Sequence, residues 1–341
     1  MDSQSNSEST PAPTQQQSVE KIIQAREAIR RELAKVIIGQ SEVIEQILVS
    51  LFAGGHCLIT GAPGLAKTLL IKSIARIFHL KFQRVQFTPD LMPADITGTE
   101  ILGESGTGRA MQFVPGPIFA NMVLADEINR TPPKTQAALL EAMQEHQVTA
   151  GGVKHALPSP FFVLATQNPV EMEGTYPLPE AQLDRFMFNV IIDYLPESDE
   201  VEVVKQTTAR SPQGIDALFT GEDVLSFQSL VRDVPVSDEV VRRTVRLVAA
   251  SRPGQPGSAP FVKEWLNWGA GTRAGQNLIL GAKVRALLND RTHVLWEDVL
   301  ALAKPVLRHR ILTNYRAEAE GITVDSIIER LIQHVETGAV K

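Results

Sequence analysis

Residues 61–68 read GAPGLAKT and lie between the short apolar run CLIT at 57–60 and the helical run LLIKSIARIF at 69–78. A strand that ends in a glycine-bearing turn and passes straight into a helix aims successive backbone N–H groups, and the positive end of the helix, at one place. Gly61 and Gly64 let the backbone wrap closely around an anion, Lys67 supplies a cation, and Thr68 offers a hydroxyl to Mg²⁺. The segment is a cradle for a polyphosphate. It departs in one position from the G-x-x-x-x-G-K-[ST] pattern, because Ala66 stands where that pattern has its second glycine. A methyl group is compatible with the cradle if residue 66 keeps a negative φ, and that is the expectation.

The rest of the chain has the size and composition to build around such a loop. With 341 residues and 43% apolar side chains it can fill a real core. The first 17 residues, MDSQSNSESTPAPTQQQ, carry too little apolar surface to offset the entropy of ordering and read as a disordered tail. That tail has neither a basic start nor an apolar run, and no stretch reaches the length of a membrane span, so a cytoplasmic location is expected. Cys57 is the only cysteine, which excludes an internal disulfide and a cysteine zinc site and suits a core filler. A net charge of −6 and a pI near 5.7 argue against a general affinity for nucleic acid.

Helical spacing over 19–33, behind a Ser18 cap, predicts a first helix that ends in VIIGQ at 36–40, and a second is predicted over 41–53. The apolar runs CLIT, RVQF (84–87), MVLA (122–125), FFVLAT (161–166) and FMFNVII (186–192) read as strands. Nearly continuous apolar strands separated by helices and loops predict a parallel sheet covered on both faces. Beyond Pro196 the patterns near 198–210, 222–232, 237–250, 274–289 and 296–303 are helical, and 251–260 is a proline- and glycine-rich loop. The expected fold is therefore α/β: an αβα core over 18–195 followed by a smaller all-helical lid over 196–341.

Chemistry-bearing residues fall at strand ends. MVLA runs into DEINR, placing Asp126 and Glu127 where open α/β sheets hold ligands. Asp126 would share Mg²⁺ with Thr68, and Glu127 would orient an attacking water. An acidic pair at a strand end is also a common solvated feature. FFVLAT ends in QNP, so Asn168 lies at the same edge, and the short helix starting at Pro179-Glu180 carries Asp184 and Arg185 to the fifth strand. The seven histidines show no metal-ligand spacing. The three tryptophans, Trp265, Trp268 and Trp296, are expected to pack the lid.

Taken in order, GAPGLAKT, VLADEINR, ATQNP, PEAQLDRF and WGAGTRA closely resemble the MoxR family of AAA+ ATPases over nearly all of residues 20–335. Ala66 matches that family's own version of the loop. The resemblance implies an ATPase with ATP and Mg²⁺ as cofactors. ATP contacts would come from Ile38, Gly39 and Gln40 at the adenine, and from Gly61, Ala62, Pro63, Gly64, Leu65, Ala66, Lys67, Thr68 and Leu69 at the phosphates. It further implies that Asn168 acts as sensor 1, Arg273 as sensor 2, and Arg185 as an arginine finger acting on a neighbouring subunit, with Arg130 a competing candidate. The segment 87–117 is similar to the hairpin that this clade inserts into helix 2, while Asp90 and Asp95 read as solvated or capping residues. The implied assembly is a homo-oligomeric ring, usually a hexamer. Its implied role is chaperone-like remodelling or maturation of client proteins, among them von Willebrand factor A domain proteins.

Two other classes fit parts of the sequence. A nucleotide-dependent regulatory scaffold would not need Glu127 and Arg185, and a nucleic-acid-stimulated motor would be expected to carry a basic, aromatic-rich stretch. A small-molecule kinase fits poorly with a lid built of helices.

Overall fold

The computed structural model describes residues 15–62, 64–105, 108–168, 174–208 and 214–338, apart from the side chains of 15–23, 104, 105, 108 and 110. Most of the expected tail, residues 1–14, lies outside this range. Gln15–Gln17 instead open the first helix, α1 (Gln15–Ala34), so Ser18 lies inside that helix and is not its cap. The core continues with α2 (Ser41–Ala53), β1 (Cys57–Gly61), α3 (Lys67–Ile77), β2 (Phe82–Gln86), α4 (Pro93–Thr97), β3 (Gly98–Ser105) and β4 (Gly108–Pro115). It is completed by β5 (Met122–Asp126), α5 (Pro133–Glu145), β6 (Gln147–Ala150), β7 (Val153–Ala156), β8 (Phe162–Gln167), α6 (Glu180–Leu183) and β9 (Phe188–Ile192).

Five of these strands form one parallel sheet in the order β2-β5-β8-β1-β9. Side chains alternate between its faces, as strand geometry requires. Cys57, Ile59, Met122, Leu124, Phe162 and Leu164 face α1–α3, whereas Leu58, Val123, Ala125, Val163 and Ala165 face the cluster built with α5. Because both faces are covered, β1, β5, β8 and β9 are apolar almost throughout, which is why their sequence signal was strong, whereas the edge strand β2 carries Gln83, Arg84 and Gln86. Cys57 is fully buried within β1 and its thiol is pushed up to about 12 by desolvation.

The lid comprises α7 (Glu197–Thr207), α8 (Gly221–Asp233), α9 (Asp238–Ala250), α10 (Val262–Trp265), α11 (Thr272–Leu288), α12 (Trp296–Leu307), α13 (Tyr315–Ala319) and α14 (Val324–Gly338). It is helical as expected, with one addition: β10 (Leu266–Trp268) and β11 (Leu312–Thr313) pair antiparallel. Trp265 and Trp296 are buried, but Trp268 is 67% exposed on this two-stranded ribbon, correcting its assignment to the core. The lid does not hang free. Its apolar residues join α1–α3 and β9 in one continuous cluster, and Gly281 lets α11 approach closely, since a Cβ there would lie 2.5 Å from Leu302 and 3.2 Å from Met187.

Two antiparallel hairpins project from the core. Within 87–117, β3 and β4 pair antiparallel from Gly98↔Pro115 to Ser105↔Gly108, with Asp95 capping α4 by accepting from Met92 N at 2.8 Å. The second, β6–β7, carries too few apolar residues to announce itself in sequence. The two touch, with the Phe113 and His155 rings stacked 3.9 Å apart.

Candidate active site

The parallel sheet has two ends, and the candidate residues divide between them. At the carboxyl ends of the strands lies the loop that follows β1. Gly61 is needed there sterically, because a Cβ would meet the Ile192 carbonyl oxygen at 2.4 Å. Gly64 (φ +84) faces open space. Ala66, the residue before α3, has φ 52 and ψ 21, so the expectation of a negative φ is wrong. The chain holds an alanine in the left-handed region, where a Cβ costs about 1–2 kcal/mol, at the turn into α3. Pro63 lies outside the described residues.

Lys67 is half-buried, and its Nζ donates to Gly61 O within its own loop. Burial lowers its pKa, while the nearby carboxylates of Asp126 and Glu127 act in the opposite direction. Thr68 follows it at the start of α3, half-buried, and Leu69 is 44% exposed beside it.

Asp126 ends β5 and is held from two sides. Its Oδ1 accepts from Thr166 Oγ1 at 2.6 Å, and its Oδ2 accepts from Arg84 Nε and Nη2 at 3.0 and 2.7 Å. Glu127 follows with φ 57, a second strained residue at the same edge. Its Oε2 accepts from Gln86 Nε2 at 2.8 Å and from Arg130 Nη1 at 3.1 Å, and its N–H donates to Thr166 Oγ1 at 2.8 Å. Arg130 therefore contacts Glu127 of its own chain. Asn168 is buried directly after β8, whose Gln167 is level with Thr60 in β1.

Sequence reasoning missed Arg84, Gln86 and Thr166, which act as brackets for the two carboxylates. Thr166 stands within the quoted ATQNP, but its role depends on β5 and β8 being neighbours. Arg84 and Gln86 lie on β2, and only its pairing with β5 brings them to Asp126. Ile38–Gln40 reach the same end of the sheet. Gly39 (φ +66) is so tightly packed that a Cβ would lie 2.8 Å from Leu195 and 2.9 Å from Asp199, just beyond β9.

Arg185 and Arg273 are not brought to this edge. β1 and β9 run in register from Cys57↔Phe188 to Gly61↔Ile192, so Arg185, which precedes Phe188, lies at the amino end of the strands. The offset from the phosphate loop is roughly the length of the strand, about 13 Å. Arg273, at the start of α11, pairs with Asp184 at 3.3 Å and so stands beside Arg185. A cleft of about 580 Å³ opens here between α6 and the β10–β11 ribbon, lined by Glu180, Asp184, Trp268 and Arg310.

The arrangement is that of a P-loop protein: a parallel sheet with a glycine-bearing loop and a lysine after its first core strand and paired carboxylates at the end of β5. Comparison with known proteins agrees. Residues 56–188 match the family described as ATPase family associated with various cellular activities (AAA), and residues 258–331 match an AAA lid domain. The chain is 42% identical to Chaperone MoxR1 of Mycobacterium tuberculosis, over 89% of this chain and 80% of that protein. It is 30% identical to Protein MoxR of Methylorubrum extorquens, over 82% of this chain and 85% of the relative. A solved structure of a candidate ATPase from Cytophaga hutchinsonii superposes with a TM-score of 0.85 at 41% identity, covering 93% of this chain and 96% of that one. The chain belongs to the MoxR family of AAA+ ATPases.

Proposed function

We propose that the protein hydrolyses ATP at a site shared between neighbouring copies in a ring, a hexamer by family resemblance, and uses that work to remodel or mature client proteins. The observation that supports the shared site is the division of charges: Lys67, Asp126, Glu127 and Asn168 gather at one end of the sheet, and Arg185 and Arg273 at the other. A single chain cannot bring both sets to one triphosphate, whereas a head-to-tail pair of copies can.

The residues fit the substrate and its metal. Gly64 leaves space beside the loop at the start of α3, and Lys67 can exchange its internal carbonyl partner for a phosphate. Thr68 and Asp126 would hold Mg²⁺, which neutralises charge on the transferring phosphoryl group. Glu127, set by Gln86 and Thr166, would accept a hydrogen bond from the attacking water and align it with the γ-phosphorus, and Asn168 would orient the same water. Arg185 of a neighbour would stabilise the developing charge, an effect of about 10³–10⁵ in rate. Ile38–Gln40 would contact the adenine, and Arg273 would act beside Arg185 on that neighbour's nucleotide.

The name Chaperone MoxR1 supports a client-directed role, with von Willebrand factor A domain proteins as the candidate class. No helix among the described residues is long and apolar enough to cross a membrane, in keeping with the cytoplasmic location we propose. ATP turnover measured against protein concentration, with light scattering for mass, tests the reading. Specific activity should rise with assembly, Glu127→Gln should bind ATP without turning it over, and Arg185→Ala should bind but lose turnover. Concentration-independent turnover by a monomer, indifferent to Arg185→Ala, would refute the shared site.

A further inference from the structure

The peptide around Arg185 is held by a residue far away in the lid. Arg310 has a side chain only 2% exposed, and its guanidinium is committed almost wholly to residues 184–187. Its Nε donates to Asp184 Oδ1 at 2.7 Å, and Nη2 donates to Asp184 O at 3.0 Å and Phe186 O at 2.7 Å. Nη1 donates to Met187 O at 3.2 Å and, within the lid, to Val306 O. His309, also buried, places Nε2 3.0 Å from Phe186 O. The second Asp184 oxygen, Oδ2, takes Arg273 at 3.3 Å, so one carboxylate joins a buried lid arginine to an exposed one.

Between these anchored residues stands Arg185. It is half-buried, and its guanidinium enters no hydrogen bond or ion pair among the described residues. A buried, fully engaged arginine is a costly way to join two domains, since well-packed apolar residues serve as well or better. The planar fork offers geometric definition instead: donors in a rigid pattern fix the carbonyls they meet.

We infer that Asp184 and Arg310 are positioning residues for Arg185 and Arg273. They would lock the peptide on both sides of Arg185 to the lid, so that the Arg185 guanidinium and the Asp184-paired guanidinium of Arg273 are presented together to the ATP of a second copy. This rests on the shared-site reading above. The lid and the finger then move as one body, and any change in lid attitude is transmitted to the neighbour's site without a flexible joint.

Asp184→Asn tests this in intact chains, because the side chain is partly exposed and its loss leaves Arg310 its carbonyl partners. Alone, the variant should bind a fluorescent ATP analogue like wild type, keep its thermal midpoint within a few degrees, and lose on the order of 10²-fold in kcat with KM little changed. Arg310→Lys, which keeps the charge without the fork, should show the same split. The deciding measurement mixes subunits. Asp184→Asn chains retain a sound phosphate loop, so mixing them with Glu127→Gln chains, which retain a sound finger, should restore turnover. The control pair, Arg185→Ala with Glu127→Gln, should restore it too.

If the control pair recovers activity and Asp184→Asn alone turns over ATP at the wild-type rate, the positioning role is wrong. It is also wrong if the control recovers and the Asp184→Asn mixture does not, because the defect then lies outside the donated arginine. If the control pair itself fails, the shared-site reading falls and the positioning role falls with it.

Discussion

At residue 66 the fold forces a side chain into a backbone state that suits glycine. The strain of an alanine at φ 52 is about 1–2 kcal/mol, and a glycine would relieve it but lose about 0.5–1 kcal/mol more chain entropy on folding. Ala66→Gly should therefore be neutral or slightly stabilising in urea unfolding. Ala66→Val should cost at least about 2 kcal/mol and weaken ATP binding, because a β-branched residue is poorly tolerated at positive φ. Equal unfolding midpoints for the two would contradict the geometry. Thr166 offers a second test at this scale. Its hydroxyl donates to Asp126 and accepts from the Glu127 N–H, so Thr166→Val removes both bonds in a buried place. The expected loss is about 1–3 kcal/mol in stability and about 10²-fold in turnover, with nucleotide still bound, as stopped-flow binding and steady-state assays would report.

Among the elements, the β3–β4 hairpin depends on its base. A Cβ at Gly98 (φ +92) would sit 2.3 Å from Val114 O and 2.6 Å from Gly116 N, contacts with backbone that cannot rotate away. Gly98→Ala should open the hairpin while sparing the sheet. Amide exchange should accelerate over 98–115 and stay slow in β1, β5 and β8. Uniform acceleration would mean instead that the hairpin base supports the whole core. Exposed Leu102 and Met111, with 59% and 60% of their surface in solvent, give the hairpin apolar reach without a role in packing its own domain. Helix α11 works differently: Gly281 admits Leu302 and Met187, so this element seats the lid directly on the core.

For the molecule as a whole, stability should carry a pH signature from two buried histidines. His56 is lowered to about 4 by burial, against its hydrogen bond to Met143 O, and His309 is lowered well below 6.5 by burial and then by the Arg310 charge. Both native side chains refuse a proton that the unfolded chain accepts below its ordinary pKa. Their contribution is thus complete above about pH 6.5 and is lost on acidification toward pH 4, at up to about 1.4 kcal/mol per pH unit for each histidine. Urea midpoints at about pH 7.5 and about pH 5 check this, and a flat profile would contradict the burial of either ring.

What the chain declares by itself is local chemistry: a glycine-lysine loop between strand and helix, apolar runs that sit inside a parallel sheet, and carboxylates where those runs stop. These follow from residue type and spacing over a few positions, so β1, β5, β8 and the strand-to-helix turn between β1 and α3 were legible, as was the helical lid. Long-range pairing carries no such mark. Arg84 and Thr166 are 42 and 40 residues from Asp126, and Arg310 is 126 residues from Asp184. Their meetings depend on strand order and on where the lid docks. The left-handed turn at Ala66 belongs to the same class, because its φ is imposed by the cradle as a whole against the residue's own preference. Sequence determined which chemical groups this protein possesses and which backbone elements carry them. The tertiary structure decided which groups face one another, and in particular that the phosphate loop and Arg185 stand at opposite ends of one sheet, since in a parallel sheet every strand points the same way and its two edges cannot meet within one chain.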